Sequence, residues 1–252
     1  MCLILFAVDP APDLALVLAA NRDEDHSRPT LAAHAWPAPS RIFGGRDERG
    51  GGTWLAAVPG GRLAAVTNVR HPGARREGRS RGALPVRFAS SPESIIDVAR
   101  SIAPELGAFP AFNLIAASPE EGTFSWSEED GPIVRMPPGV HGLSNARIDV
   151  PWPKVVRGKA ALSAALDGPR DALAERLFMA LANEEVARDD ELPSTGVSLE
   201  IERLLGPAFI RGPAYGTRSS TVVIVERSGR TIFEERSFGR DGAPTGTVRA
   251  EI

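Results

Sequence analysis

Cys2-Leu3-Ile4-Leu5-Phe6-Ala7-Val8, the turn Asp9-Pro10-Ala11-Pro12-Asp13, and then Leu14-Ala15-Leu16-Val17-Leu18-Ala19-Ala20 is the stretch that decides the fold. Two wholly apolar arms around a proline- and aspartate-rich turn read as a β-hairpin. Strands apolar on both faces need cover on both sides, so this hairpin belongs in the middle of a layered structure.

Outward from it the pattern repeats more weakly. Residues 53–58 and 62–68 read as a second hairpin through Pro59-Gly60-Gly61, and 112–117 with 123–126 as a third. Residues 82–89 and 92–102 have helical spacing, with Ser91-Pro92-Glu93-Ser94 as a start signal. Residues 153–166 and 169–182 carry apolar residues at steps of three and four, the mark of helices packed on one side of a sheet. A further helix is expected over 194–205, then strands over 219–226 and 231–238. Strands, helices and strands again predict an α+β fold, and no linker or repeat divides residues 1–252, so a single domain is expected.

Composition narrows the chemistry. A net charge of -3 argues against a nucleic-acid binder, although Arg70, Arg75, Arg76, Arg79 and Arg81 gather against Glu77 alone. The apolar run 2–8 is too short for an integral membrane segment and lacks the basic start of a signal peptide; a cytoplasmic protein is expected. One cysteine excludes an intramolecular disulfide and any cysteine-cluster metal site. The four histidines lack metal-ligand spacing, so no metal and no required cofactor are expected. The glycine-rich run 44–52 lacks the Lys-Ser/Thr ending of a phosphate loop.

That single cysteine stands directly behind Met1. With Met1 removed, Cys2 carries a thiol and an α-amine that titrates near about 8, a nucleophile with its own base. Four polar clusters stand at predicted strand ends: Asn21-Arg22-Asp23-Glu24, Thr67-Asn68-Val69-Arg70, Gly142-Leu143-Ser144-Asn145-Ala146 and Tyr215-Gly216-Thr217-Arg218-Ser219-Ser220. If the first hairpin pairs as its turn suggests, Arg22 and Asp23 return beside Cys2, where a guanidinium favours the thiolate and a carboxylate orients the amine.

The motifs taken together (Met-Cys at the start, Asn21-Arg22-Asp23-Glu24, Gly51-Gly52-Thr53-Trp54, Thr67-Asn68, Ser80-Arg81-Gly82-Ala83-Leu84-Pro85, Phe112-Asn113-Leu114-Ile115, Gly142-Leu143-Ser144-Asn145 and Pro151-Trp152-Pro153-Lys154) resemble the NRDE family, which includes the transport-and-Golgi-organisation proteins. The family is similar in turn to N-terminal-nucleophile hydrolases of the choloylglycine hydrolase and penicillin V acylase type. This resemblance implies a four-layer αββα sandwich of two mainly antiparallel sheets. It also implies a cysteine amidohydrolase acting on a non-peptide or cyclic C–N amide through an acyl-enzyme on Cys2.

Carried over residue by residue, Cys2 matches the nucleophile, Arg22 and Asp23 its supporting pair, Asn68 and Asn145 the oxyanion asparagines, and Arg218 the late arginine. Asn21, Trp54, Arg70 and Arg81, in the same motifs, are the expected ligand contacts, and the expected partner is a small molecule. Glu24 receives no role. The resemblance also admits a non-enzymatic carrier of haem or a lipid-type ligand on the same fold, with arginines such as Arg75, Arg76 and Arg79 meeting its carboxylates. The oligomeric state is left open.

Overall fold

The computed structural model describes residues 2–127 and 131–252, and of Cys2 the backbone alone. In chain order the elements are β1 (Cys2–Ala11), β2 (Leu14–Asp25), β3 (Thr30–Ala35), β4 (Phe43–Asp47), β5 (Leu55–Ala57), β6 (Leu63–Asn68), α1 (Ala83–Ser90) and α2 (Ile95–Ile102). There follow β7 (Phe112–Ser118), β8 (Gly122–Ser127), β9 (Val134–Arg135), β10 (Gly139–Leu143), α3 (Pro153–Leu166), α4 (Leu173–Leu181), α5 (Leu199–Leu205), β11 (Tyr215–Glu226), β12 (Thr231–Phe238) and β13 (Pro244–Glu251).

The strands form two antiparallel sheets, ordered β10-β1-β2-β11-β12-β13 and β3-β4-β5-β6-β7-β8-β9. Side chains alternate along a strand, so each sheet has two faces to bury. Ile4, Phe6, Leu16 and Leu18 of the first sheet pack against Leu55, Leu63, Ala65 and Ile115 of the second. Their chain neighbours Leu3, Leu5, Val17 and Ala19 point the other way, onto Val155 and Leu162 of α3 and Leu177 and Leu181 of α4. On the far side Ala64, Val66, Leu114 and Ala116 meet Leu84 and Phe88 of α1 and Ile95, Val98 and Ile102 of α2. Helix, sheet, sheet, helix is the four-layer αββα sandwich expected, with the first hairpin covered on both faces. Each fully buried aliphatic side chain in these layers stabilises the fold by roughly 1.5–3 kcal/mol.

Two expected boundaries are corrected. The polar run Asn21-Arg22-Asp23-Glu24 does not follow the second strand but lies within it, and Tyr215–Ser220 lies within β11 rather than before it. The two runs are opposite one another, and their polar groups satisfy each other: Ser220 Oγ donates to Asn21 Oδ1 at 2.6 Å and Thr217 Oγ1 to Asp23 Oδ1 at 2.7 Å. Buried polar groups are tolerated in a strand when partners of this kind are present. The helix expected over 169–182 begins at Leu173, after a short 3-10 turn, and that expected over 194–205 begins at Leu199, capped by Ser198. Strands β3, β4, β9 and β13 had no sequence expectation, and β10 was implied only by the polar cluster at its end.

Candidate active site

The site forms where the first hairpin ends. β1 and β2 pair so that Cys2 stands opposite Arg22 and Leu3 opposite Asn21, as the turn suggested. On the other edge of β2, β11 sets Ser219 opposite Arg22, and β12 sets Ser237 opposite Ser219. Cys2, Arg22, Ser219 and Ser237 are therefore one row across four strands. The Cys2 side chain lies outside the described atoms; the register places its backbone.

Arg22 is buried, its guanidinium carbon 4.3 Å from the centroid of the Trp54 ring and its Nη2 3.9 Å from Glu24 Oε2. Asp23 is buried beside it. Burial pushes its carboxyl above the ordinary aspartate value, while Lys154, Thr217 and Arg22 are among the groups pulling it back. Lys154, at the start of α3, is itself buried and donates to the carbonyl of Leu205 at 2.9 Å.

In front of this pair opens a cleft of about 400 Å³. Its lining includes five arginines (Arg22, Arg28, Arg76, Arg79 and Arg81) against three carboxylates (Asp23, Glu24 and Asp47), so the cleft is electropositive. Arg28 is committed to Asp47 through Nε at 3.0 Å and Nη2 at 2.6 Å, and Arg79 pairs with Glu105. For Asp47 burial raises the carboxyl, but the Arg28 hydrogen bond and the Gly50 N–H outweigh it and leave the group below its usual range. Arg81 Nη1 donates to the carbonyl of Ala111 at 3.0 Å. Arg76 is exposed on the rim.

The expected site residues divide. Arg22, Asp23, Asn68, Trp54 and Arg81 line the cleft. Asn145 does not: it is fully buried, and its amide donates to the carbonyl of Asn68 at 2.8 Å while its own carbonyl receives the Arg70 N–H at 2.7 Å. It pins the loop after β10 to the end of β6. Arg218 does not line the cleft either; its Nη1 donates to the carbonyls of Asp25 and Arg28 and it borders a second, smaller cavity.

Asn21 points into the helix layer, with both amide hydrogens on the carbonyls of Leu181 and Ala208 at 2.8 Å each and its oxygen occupied by Ser220. Arg70 pairs with the buried Glu202 at 3.2 Å and lies 5.0 Å from the Trp152 ring, away from the cleft. Among the described residues no group of three or more His, Cys, Asp or Glu is placed to hold a metal ion, and no helix is long and apolar enough to cross a membrane.

The motif set that suggested a family has a counterpart in the comparisons. Residues 1–240 match the model of the family Transport and Golgi organisation 2. The chain belongs to that family. Among its curated relatives, the Transport and Golgi organization protein 2 homolog of Bos taurus is 37% identical over 94% of this chain and 93% of its own length, and that of Homo sapiens 35% identical over the same shares. Transport and Golgi organization protein 2 of Drosophila melanogaster is 29% identical over 96% and 94%. Among solved structures, the chain is similar to the Caenorhabditis elegans N-acylethanolamine-hydrolyzing acid amidase ortholog, with 13% identity, a TM-score of 0.46, and 90% and 93% of the two chains covered.

Several cleft and site-end residues had no expected role. Glu24 lies between Arg22 and Arg28, 3.6 Å from the latter. Gly52 and Gly82, in two family motifs distant in sequence, touch: a Cβ added at Gly52 would lie 2.3 Å from the carbonyl carbon and oxygen of Gly82, and Thr53 N–H donates to that oxygen at 3.1 Å. Only the shared glycine content of the two motifs hinted at such a backbone contact. Ser219, buried on β11, lay in the fourth polar cluster without a role of its own, and Glu235, buried on β12, carried no motif signal.

Proposed function

We propose that this member of the family is a cysteine amidohydrolase acting on a C–N amide that is not a peptide bond. The observation that carries the reading is the register that sets the Cys2 backbone opposite Arg22, which lines the electropositive cleft, with the buried Asp23 as the next residue on β2.

With Cys2 heading the chain, its α-amine takes the thiol proton and the thiolate attacks the amide carbonyl carbon. A C–S bond forms, and the C–N bond breaks as the amine leaves with that proton. Water then hydrolyses the thioester, releasing the acid and restoring the thiol. Arg22 favours the thiolate by charge, and Asp23 orients the amine. The Asn68 side chain supplies the donor for the oxyanion, and Asn145 acts through Asn68 by fixing its backbone. The surplus of arginines in the lining suits a substrate with an acidic group away from the scissile amide.

The test is alkylation of Cys2 in protein whose Met1 has been removed. Iodoacetamide is expected to add once per chain, at Cys2, and more slowly in Arg22→Leu. A free-amine Cys2 that stays unmodified under conditions that alkylate glutathione ends the proposal.

The same arginines would also suit a carrier of an amphipathic acid such as haem. The cleft offers few apolar surfaces (Trp54, Val66 and Pro110) for a porphyrin face, which favours the hydrolase reading. Saturable one-to-one haem binding that persists in Cys2→Ala, with no amide hydrolysis, would reverse that preference.

A further inference from the structure

A second cavity, of about 140 Å³, shares just two lining residues with the cleft, Arg22 and Trp54. These two are stacked, and the indole edge lies over the bare Cα of Gly45, where a Cβ would fall 2.1 Å from Trp54 Cη2. The stacked pair is thus a partition within one binding region. Behind it the row begun by Cys2 and Arg22 continues through Ser219 and Ser237, and both of these line the second cavity.

The inner end of this compartment is polar, while its outer side is open past the exposed Leu31, Ala32 and Thr245. Ser219 is 4% exposed; its Oγ makes no close hydrogen bond among the described residues, and its one interaction is a loose one with the neighbouring Glu235 carboxyl. Glu235 is 1% exposed, accepting from Ala33 N–H at 2.7 Å and from Thr221 Oγ1 at 3.3 Å. Its two oxygens offer about four lone-pair positions, so acceptor capacity remains. Buried hydroxyls are nearly always well paired, and a loosely held one lining a cavity beside a carboxyl with spare capacity suits a ligand group that can both donate and accept. A hydroxyl does both. At the ~30 Å³ a water molecule takes in the liquid, the space suits a branch of roughly four to five heavy atoms. It lies two strand spacings from the Cys2 position, roughly 10 Å.

We infer that the cavity bounded by Arg22, Trp54, Ser219, Glu235 and Ser237 is a subsite for a short, neutral, hydroxyl-bearing branch of the ligand, and that Trp54 partitions it from the arginine-lined cleft. The inference extends the proposed site, but its first measurement does not involve the thiol.

Backbone amide resonances of Ala33, Ser219 and Ser237 are followed while the protein is titrated with N-(3-hydroxypropyl)acetamide or with its isostere N-butylacetamide. The hydroxylated amide is expected to shift all three saturably and to bind roughly five-fold more tightly than the butyl compound, the scale of one buried hydrogen bond. Ser219→Ala and Glu235→Gln are each expected to remove that preference. Absent shifts, equal binding of the two amides, or a preference unchanged in both variants overturns the subsite. Water filling alone would produce the second of these results or the first. Alkylation of Cys2 by iodoacetamide in the same samples reports on the nucleophile separately, so a loss of one reading is distinguishable from a loss of the other.

Discussion

Arg22 and Trp54 hold each other: the guanidinium carbon stands 4.3 Å from the indole centroid, and the indole edge packs over Gly45, which has no Cβ to obstruct it. A cation over an aromatic face is stabilising when both are partly desolvated, and Arg22 is 5% exposed. Trp54→Ala is expected to lower stability by about 3 kcal/mol in urea unfolding, through lost burial and an exposed guanidinium. In a double-mutant cycle with Arg22→Met the coupling should be about 1 kcal/mol. Additive single effects would show that the stack contributes nothing of its own.

Two buried carboxyls give a pH signature. Burial raises both Asp23 and Glu235 above their ordinary values. In the folded chain they keep protons through a window in which the unfolded chain has lost them. Stability from these groups therefore falls as pH rises from the ordinary carboxylate value through the raised one. Glu235→Gln removes that loss, so its stability relative to wild type should improve as pH rises from the ordinary glutamate value through the raised one, read from urea midpoints. A difference that stays constant with pH would mean that Glu235 titrates normally.

Asp149 works in the opposite sense. Burial raises its carboxyl, but Lys159 Nζ at 2.6 Å, His141 Nδ1 at 2.7 Å and Gly142 N–H at 2.9 Å together bring it below the usual value. Its stabilisation is present above the unfolded aspartate value and fades as pH falls through the lowered one. Asp149 also sits at φ 58°, where a non-glycine residue is strained. Asp149→Ala should cost about 3 kcal/mol and raise amide exchange through the loop that carries Asn145. If exchange at residues 144–152 were unaltered, the Asp149 contacts would not be what fixes that loop.

The layers were legible because their signal is redundant: β1 and β2 are apolar on every residue from Leu3 to Val8 and from Leu14 to Ala20, and α3 and α4 repeat at helical spacing. β13 had no such signal, being an edge strand with mostly exposed residues, Pro244 and Gly246 among them. The site was half legible for a related reason. In a strand, neighbours point to opposite faces, so a motif of consecutive polar residues is split by the fold. Arg22 enters the cleft, while Asn21 turns into the helix layer and spends every polar atom there. Sequence order placed Asn145 and Arg218 at strand ends but could not say that their donors go to the backbone of neighbouring turns. Ser219 stood in a polar cluster, but its place beside Arg22 and Glu235 becomes visible only when β11 and β12 are laid beside β2, since nothing local distinguishes a buried serine from an exposed one.

The contact between Gly52 and Gly82 gives the sharpest ranking of substitutions. A Cβ on Gly52 would stand 2.3 Å from the Gly82 carbonyl carbon and oxygen and 2.9 Å from Ala83 N, all backbone atoms that no rotamer change can move. A Cβ on Gly82 meets Thr53 N at 3.1 Å and Thr53 O at 3.2 Å, a crowding that a shift of a few tenths of an ångström relieves. Relief of the first clash requires α1 to separate from the strand end that presents Trp54, which loosens the cleft wall formed by Thr53, Trp54 and Gly82. Gly52→Ala is therefore expected to cost about 3 kcal/mol or more and Gly82→Ala about 1 kcal/mol, by urea unfolding of the purified proteins. Equal costs, or a larger one at Gly82, would mean that the two loops are not in contact as described.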